Sequence, residues 1–350
     1  MVVTRTSPAV VSPTPALILI KSSSMKKINL IFDGNFLYHL SFSVFSTYYR
    51  GEDMAAVLAD KEKRQVLIRK CVTNLCAAVR RFEDVKRVVV VIDSHSWRYD
   101  YYEDYKYALT RVKEPWYGEF IAVLGEFEAL LRRKGLIVTR IPGAEGDDLL
   151  MMWALCFDML GEEAVILTAD SDIRQLITPH VSVFNYNSKF MKFYCYPGRE
   201  EHWNEYFDTD IQVYSTEPFE VLLYKVIMGD KSDNIPKIIR GFGDKAFEKF
   251  IATMRVDGRL PRPPQFAGYD ITKFALWVQS KLEGFGVHID ENQLGQIIAN
   301  IKMTWLSVNV YDNSQMGFLM AMTEAVGETK DSYSYKKAFT LEDFYGMLIK

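Results

Sequence analysis

The sequence predicts an α/β fold with a central parallel sheet and flanking helices, followed by a helical lobe. Continuous runs of apolar, often β-branched residues recur along the first half of the chain, as is typical of strands buried on both faces. Segments 64–82 and 119–135, which lie between these runs, have the apolar periodicity of amphipathic helices. Because strands alternate with helices, the sheet is expected to be parallel with right-handed crossovers.

Three of the apolar runs end in aspartate. The run in KINLIFDGN ends at Asp33, and the run in RVVVVIDSH ends at Asp93. The run in EAVILTADSD ends at Asp170 and Asp172. Ligand sites of parallel sheets lie at the carboxyl ends of the strands, so we expect these four carboxylates to share one site. The alternative is that each aspartate only starts the turn that follows its strand.

A second acidic group lies at the start of a predicted helix. The segment AEGDDLL places Glu145, Asp147 and Asp148 in the first helical turn. A single acid there is explained by capping and by the helix dipole. Three acids in four positions exceed what capping requires, and such close like charges resist joint ionisation unless a cation lies among them. Carboxylate ligands suit Mg²⁺ or Mn²⁺, and the number of acids predicts two such ions.

The second half of the chain contains MGDKSDNIP followed by GFGDK. The first segment adds Asp230 and Asp233 to the acidic residues. The second is a glycine-rich turn before a predicted helix, whose backbone N–H groups could hold a phosphate, and φ is expected to be positive at Gly243. A purely structural turn is an equally good interpretation. The residues predicted to contact nucleic acid here are Gly241, Gly243, Lys245 and Lys249.

Composition limits the class of protein. The net charge is −3, from 42 basic and 45 acidic residues, but nine of the acids belong to the motifs above, so a polyanionic substrate is not excluded. The four cysteines form no C-x-x-C pair, and Cys71 and Cys76, which fall in an amphipathic helical pattern, indicate buried thiols in a reducing compartment. The scattered histidines disfavour a zinc site. No apolar stretch reaches the ~18 residues of a membrane span.

Several segments of the chain, taken in order, resemble the motifs of the 5′ nuclease family. They are LIFDGN, VVVVIDS, AEGDDLL, TADSDIRQL, and MGDKSDNIP with GFGDK. This family includes flap endonucleases, the 5′ nuclease domain of bacterial DNA polymerase I, and bacteriophage 5′→3′ exonucleases and ribonucleases H. The resemblance covers about residues 27–255. In length and in number of acids, the chain is most similar to the bacteriophage branch.

The resemblance implies a PIN-like nuclease fold with a helical arch at about residues 95–118 and a helix–three-turn–helix motif at about residues 226–251. It also implies a two-metal phosphodiesterase. Matched residue by residue, one ion is held mainly by Asp33, Asp93 and Glu145. The other is held mainly by Asp147, Asp148, Asp170, Asp172 and Asp230, with Asp233 acting through water.

The arch segment is rich in aromatic and basic residues, as a surface for single-stranded nucleic acid should be. By resemblance, Lys106 and Arg98 match the basic arch positions, and Arg111 is the next base although its spacing departs from the family pattern. We expect Lys106 to contact the scissile phosphate or to assist the leaving group. Packing of an ordinary amphipathic helix is the alternative for the tyrosines. The predicted nucleic-acid contacts in the first half are Tyr38, His39 and Tyr105.

The predicted organisation has three parts: a disordered extension at 1–24, a nuclease domain at 25–215 and a helical lobe at 216–350. The favoured function is a Mg²⁺-dependent 5′→3′ exonuclease and flap endonuclease with ribonuclease H-type primer removal. The alternatives are a non-catalytic nucleic-acid-binding relative and a small-molecule phosphohydrolase, which explains neither the arch-like segment nor GFGDK.

The expected partners follow from this function. They are 5′-flap, nicked or RNA-primed duplex DNA, with replication proteins as further candidates. The protein is expected to be a monomer located in the cytoplasm, or in the host cytoplasm if it is of phage origin. Besides two Mg²⁺ ions, for which Mn²⁺ can substitute, the resemblance allows a monovalent cation at the helix–three-turn–helix motif.

Overall fold

The computed structural model describes residues 27–106, 114–186, 191–207, 211–260 and 270–311, together with 315, 317, 320–322 and 324. The predicted extension at 1–24 and Arg111 lie outside the described residues. Among the helices that are described, none combines the length and the apolar character needed to cross a bilayer.

A seven-stranded sheet forms the centre of the fold, in the order β3-β2-β1-β4-β5-β6-β7. Neighbouring strands are parallel except β5 and β6, which are antiparallel. The three strands predicted from sequence are confirmed as β1, β2 and β4, and β1 pairs with both of the others. The strands are β1 (Ile28–Asp33), β2 (Val85–Val91), β3 (Ile137–Thr139), β4 (Ala164–Leu167), β5 (Val181–Asn185), β6 (Lys192–Cys195) and β7 (Gln212–Ser215).

Eleven α-helices are described around and beyond the sheet. The helices predicted at 64–82 and 119–135 are confirmed as α3 and α5. The helices are α1 (Gly34–Tyr48), α2 (Met54–Ala59), α3 (Lys61–Val79), α4 (Arg98–Tyr101), α5 (Tyr117–Arg133), α6 (Gly146–Met159), α7 (Glu200–Phe207), α8 (Pro218–Met228), α9 (Asp244–Met254), α10 (Ile271–Gly284) and α11 (Glu291–Thr304).

The sheet is covered on both faces, which explains why its strands are continuously apolar. Successive side chains of a strand point to opposite faces. Leu30 and Phe32 accordingly pack in one core cluster with residues of α1, α3 and α5. Ile31 packs in the opposite cluster with residues of α6.

The helices after the sheet have a core of their own, formed by apolar residues of α8 to α11. The chain then returns to the sheet, because Leu306, Val310 and Tyr311 are buried in the cluster that contains α6. Residues that follow α11 therefore lie next to the helix that carries Glu145, Asp147 and Asp148.

Candidate active site

The carboxyl ends of β1, β2 and β4 lie side by side, as the sequence predicts. Asp33 is the last residue of β1 and the N-cap of α1, where its Oδ1 accepts a hydrogen bond from Phe36 N–H at 2.9 Å. Its Oδ2 accepts a hydrogen bond from the Thr168 hydroxyl, just after β4, at 2.8 Å. Asp33 thus serves as a helix cap and also faces the neighbouring strand end.

Asp93 lies two residues after β2 and joins that strand to the start of α6. Its Oδ1 accepts a hydrogen bond from Gly146 N–H, and its own N–H donates to Asn35 Oδ1 at 2.9 Å. A Cβ atom at position 146 would lie 2.5 Å from Asp93 Oδ1, so any larger residue there would displace the Asp93 carboxylate. The glycine of AEGDD therefore brings the acidic turn of α6 against the end of β2.

The acids at this edge are close enough to affect one another's ionisation. Burial and the nearby charge of Asp93 raise the pKa of Asp33 to about 7. Burial also raises the pKa of Asp93, and burial together with the charge of Asp170 raises the pKa of Asp147. A carboxylate whose pKa is raised in this way is short of positive charge.

This lack of positive charge is what a metal site requires. Carboxylate oxygens are the ligands preferred by Mg²⁺ and Mn²⁺. In the part of the chain that the structure describes, no three Asp, Glu, His or Cys side chains converge as a preformed ligand group. The residue types fit a divalent cation, although their side chains are not gathered around one point in this structure.

Glu145 and Asp148 are different, because they are neutralised by a buried arginine. The Arg98 guanidinium donates to both oxygens of Asp148 at 2.9 and 3.0 Å and to Glu145 Oε2 at 2.8 Å. Arg98 and Asp148 are each 1% exposed. Asp148 also accepts hydrogen bonds from Tyr311 O–H and from the Glu145 backbone N–H.

These contacts bear on two predictions. Asp148 was predicted to bind the second metal ion, but its oxygens are occupied by Arg98 and Tyr311. Arg98 was predicted to be catalytic, but it is buried, and its Nε donates to the Met303 carbonyl at 3.1 Å. Both residues hold Glu145 and the start of α6 in place.

Lys106 is the cation that faces the carboxylate cluster. Its Nζ lies 2.5 Å from Glu145 Oε1, and the Tyr105 hydroxyl donates to Glu145 Oε2 at 3.0 Å. Burial alone raises the pKa of Glu145, but the charges of Arg98 and Lys106 bring that pKa below its ordinary value. Despite its own burial, Lys106 has a raised pKa because of Glu145 and therefore stays charged.

Two tyrosines predicted to contact nucleic acid are buried instead. Tyr38 is 0% exposed and its hydroxyl donates to the Phe120 carbonyl at 2.8 Å, so its ring belongs to the core. Tyr105 is 3% exposed and packs with Ile235. Neither ring is available to stack on a base, whereas His39, next to Tyr38, is exposed.

A second lysine contacts two acids on the other side of the cluster. Lys225 Nζ contacts Asp172 Oδ1 at 2.7 Å and also Asp230 Oδ2. Burial raises the pKa of Asp230, but hydrogen bonds from Lys225 and Ser232 bring it below its ordinary value. Burial and the charge of Asp170 keep the pKa of Asp172 raised, to about 6.

Lys225 was missed by sequence reasoning. The available signal was a lysine within the apolar helix α8, five residues before Asp230. Asp170 and Asp172 both follow β4, and Asp172 N–H donates to Asp170 Oδ1 at 2.8 Å. Asp170 is exposed. It remains close enough to Asp147 to raise the pKa of that residue.

The predicted helix–three-turn–helix segment forms a loop between α8 and α9. Gly229 has φ of 72°, and a Cβ there would lie 2.5 Å from the Ile235 carbonyl oxygen, so the tight turn requires glycine. Asp233 is half-buried in this loop. The left-handed glycine of GFGDK is Gly241, with φ of 80°, whereas Gly243 is the N-cap of α9 with φ of −90°. The prediction of a positive φ at Gly243 was therefore wrong.

This loop and α9 present basic groups to solvent. The predicted contact residues Gly241, Gly243, Lys245 and Lys249 are all exposed. Lys231, Lys237 and Arg240 add three more exposed cations. A basic, exposed loop next to a helix N-terminus can bind a phosphate backbone.

Comparison with known proteins identifies the sequence family. Residues 29–204 match the model of the 5′-3′ exonuclease, N-terminal resolvase-like domain. The chain is 29% identical over 229 residues to a thermostable DNA polymerase I of Thermus thermophilus, an alignment that covers 63% of this chain and 23% of the polymerase. It is 29% identical over 160 residues to a 5′-3′ exonuclease of Aquifex aeolicus, covering 45% of this chain and 49% of that protein.

Solved structures with the same fold are also found. The bacteriophage T5 5′-exonuclease with bound zinc is 17% identical, with a TM-score of 0.54, and covers 86% of this chain and 99% of that one. A complex of the bacteriophage T5 flap endonuclease with DNA and metal ions is 17% identical, with a TM-score of 0.55, and covers 87% and 98%. At this identity the likeness establishes the fold.

Proposed function

Because the chain belongs to the family of 5′-3′ exonuclease N-terminal resolvase-like domains, we propose that it is a metal-dependent 5′ nuclease. In this proposal it hydrolyses phosphodiester bonds near the 5′ end of nicked, flapped or RNA-primed duplex DNA. The observation that carries the proposal is the group of acids at the ends of β1 and β2 and at the start of α6, whose pKa values are raised by burial and by neighbouring acids. Its relatives include proteins named 5′-3′ exonuclease.

The acids short of positive charge are the proposed metal ligands. A divalent cation bound there supplies positive charge that stabilises the charge developing on the phosphate in the transition state. Asp33, Asp93 and Asp147 are the principal ligands in this proposal. Asp170, Asp172 and Asp233 complete the acidic edge, Asp230 is held beside it by Lys225, and Mg²⁺, with Mn²⁺ as a substitute, is the expected ion.

Lys106 is the proposed catalytic cation of the protein itself. Its Nζ lies at Glu145, beside the acidic edge, and stays protonated because of that carboxylate. A phosphate seated at this edge brings a further negative charge to the same ammonium group. Lys106 then stabilises charge on the scissile phosphate or donates a proton to the leaving oxygen.

The duplex part of the substrate is proposed to bind the basic loop and α9. Gly243, Lys245 and Lys249 are exposed there. We retain as proposals a monovalent cation at this loop and the division into domains at 25–215 and 216–350. Primer removal of the ribonuclease H type belongs to the same proposal.

The test is cleavage of 5′-labelled nicked, flapped and RNA-primed duplexes. We expect cleavage with Mg²⁺ or Mn²⁺ and none with EDTA. A protein that binds these substrates but leaves all of them intact with either metal would support the non-catalytic alternative. Full cleavage in the presence of EDTA would refute metal dependence.

A further inference from the structure

The loop between α8 and α9 is hydrogen-bonded directly to the segment that carries Lys106. Lys106 N–H donates to the Asp233 carbonyl at 3.0 Å. The Asn234 side-chain amide donates to the Asp104 carbonyl, also at 3.0 Å. These two hydrogen bonds bracket Tyr105, whose buried ring packs against Ile235 of the same loop.

Both sides of this contact have left-handed backbone conformations. Lys106 has φ of 53° and Asn234 has φ of 60°. Asparagine adopts this conformation readily, but lysine does so at a cost, and such residues persist only where the surroundings hold them. The backbone of Lys106 is held by the Asp233–Ile235 loop, and its ammonium group is held by Glu145.

We propose that Asn234 is a positioning residue for Lys106. By holding the Asp104 carbonyl, its amide fixes the turn that directs Lys106 to Glu145 and the acidic edge. The inference rests on the proposed function, in which Lys106 acts on the scissile phosphate. Its consequence is that the loop proposed to bind duplex DNA also sets the position of the catalytic lysine, so duplex recognition and catalysis share one structural element.

The test uses two substitutions of Asn234 that separate its amide from its backbone conformation. Asn234→Gly keeps a residue that tolerates positive φ and removes the amide donor. Asn234→Asp keeps the shape but places an acceptor opposite the Asp104 carbonyl. The matched control is Asp257→Gly, because Asp257 also has positive φ, 50°, in an exposed turn of the helical lobe.

In single-turnover cleavage of a flapped duplex, we expect Asn234→Gly to lower the rate about five- to tenfold, the effect of losing one hydrogen bond. Asn234→Asp should lower it further. Affinity for the duplex should stay within about threefold in both variants, because neither removes a basic group. Asp257→Gly should match the wild type in rate and affinity.

A double-mutant cycle distinguishes positioning from a general structural role. If Asn234 acts through Lys106, Asn234→Gly should change the residual rate of Lys106→Ala by less than about twofold. An equal loss in both backgrounds, or a wild-type rate for Asn234→Gly, would overturn the proposal.

A second measurement does not depend on cleavage of DNA. Trypsin must bind the Lys106 side chain, which is held by Glu145, so Asn234→Gly, by loosening the turn, should speed cutting after Lys106 about fivefold, and Asp257→Gly should not. Unchanged tryptic cutting would refute the positioning role even if the protein proved to have no nuclease activity. A lack of DNA cleavage by the wild type would refute the proposed function alone.

Discussion

The acids around the site form two groups that differ in their access to positive charge. The open acids are Asp33, Asp93 and Asp147, whose pKa values are raised. Among the described residues, no ion pair joins them to Lys or Arg. The paired acids are Glu145, Asp148 and Asp230, which contact Arg98, Lys106 or Lys225. Asp172 is intermediate, because it contacts Lys225 but keeps a raised pKa.

The difference shows that environment, and not residue type, assigns the role of each carboxylate. A paired acid is neutralised by a fixed cation, so it organises the site and has little need of a metal ion. An open acid is held near other negative charges, which destabilises the metal-free fold and favours a bound cation. The open acids therefore lower the stability of the metal-free protein at the positions that the proposed chemistry uses.

The largest expected effect comes from removing an open acid. Asp147→Asn should reduce single-turnover cleavage at least ~10³-fold, because it removes a proposed metal ligand and with it the electrostatic stabilisation at the phosphate. Affinity for flapped DNA should be retained or increased, since a negative charge is lost. Near-normal turnover would show that the open acids do not form the catalytic site.

Removing a paired acid should damage stability. Asp148→Ala leaves the Arg98 guanidinium buried without its principal partner, which should cost about 3–5 kcal/mol of unfolding free energy. Urea denaturation measures this loss. The control is Glu52→Ala, which breaks an exposed pair with Lys63 and should leave the free energy of unfolding nearly unchanged. Equal losses in the two variants would contradict the distinction between buried and exposed pairs.

Lys106→Ala tests the comparison between open and paired acids, because it removes the cation that is paired with Glu145. We expect single-turnover cleavage to fall about 100-fold, as for the loss of one preorganised charge at a phosphoryl centre. Binding of flapped DNA should weaken less than about tenfold, since the charge acts mainly in the transition state. Normal cleavage would show that Lys106 serves only to neutralise Glu145.

The smallest expected effect is a dependence of stability on pH. Because the pKa of Asp33 is raised to about 7 in the fold, its protonated form is favoured there, and stability falls as pH rises through that value. Between pH 5 and 8, metal-free wild type should lose about 2 kcal/mol relative to Asp33→Asn. Denaturant titrations in EDTA at several pH values measure this difference. Parallel curves for the two proteins would contradict a raised pKa.

Sequence reasoning predicted the sheet edge because the relevant information is local. Asp33 ends β1, Asp93 and Asp170 closely follow β2 and β4, and parallel pairing brings these strand ends together without further contacts. It could not separate Asp147 from Asp148, which are adjacent in sequence. Successive helical residues project about 100° apart, so Asp147 faces the open acids while Asp148 faces Arg98.

The pairing of acids with cations depends on contacts that sequence patterns do not encode. Asp148 accepts a hydrogen bond from Tyr311, 163 positions away, and Lys225 reaches Asp172 from another helix. The burial of Tyr38 and Tyr105 was missed for a similar reason. An aromatic residue beside a motif has the same sequence pattern whether it contacts DNA or the core.

The most direct test of the central claim is the binding of Mn²⁺, followed by electron paramagnetic resonance at pH 8 without DNA. Asp33→Asn and Asp147→Asn should each weaken binding at least about tenfold, because each removes a carboxylate ligand and its charge. Asp148→Asn, of nearly the same shape, should bind within about threefold of wild type, since its side chain is directed to Arg98. Equal weakening in all three variants, with folding verified by circular dichroism, would contradict the division into open and paired acids.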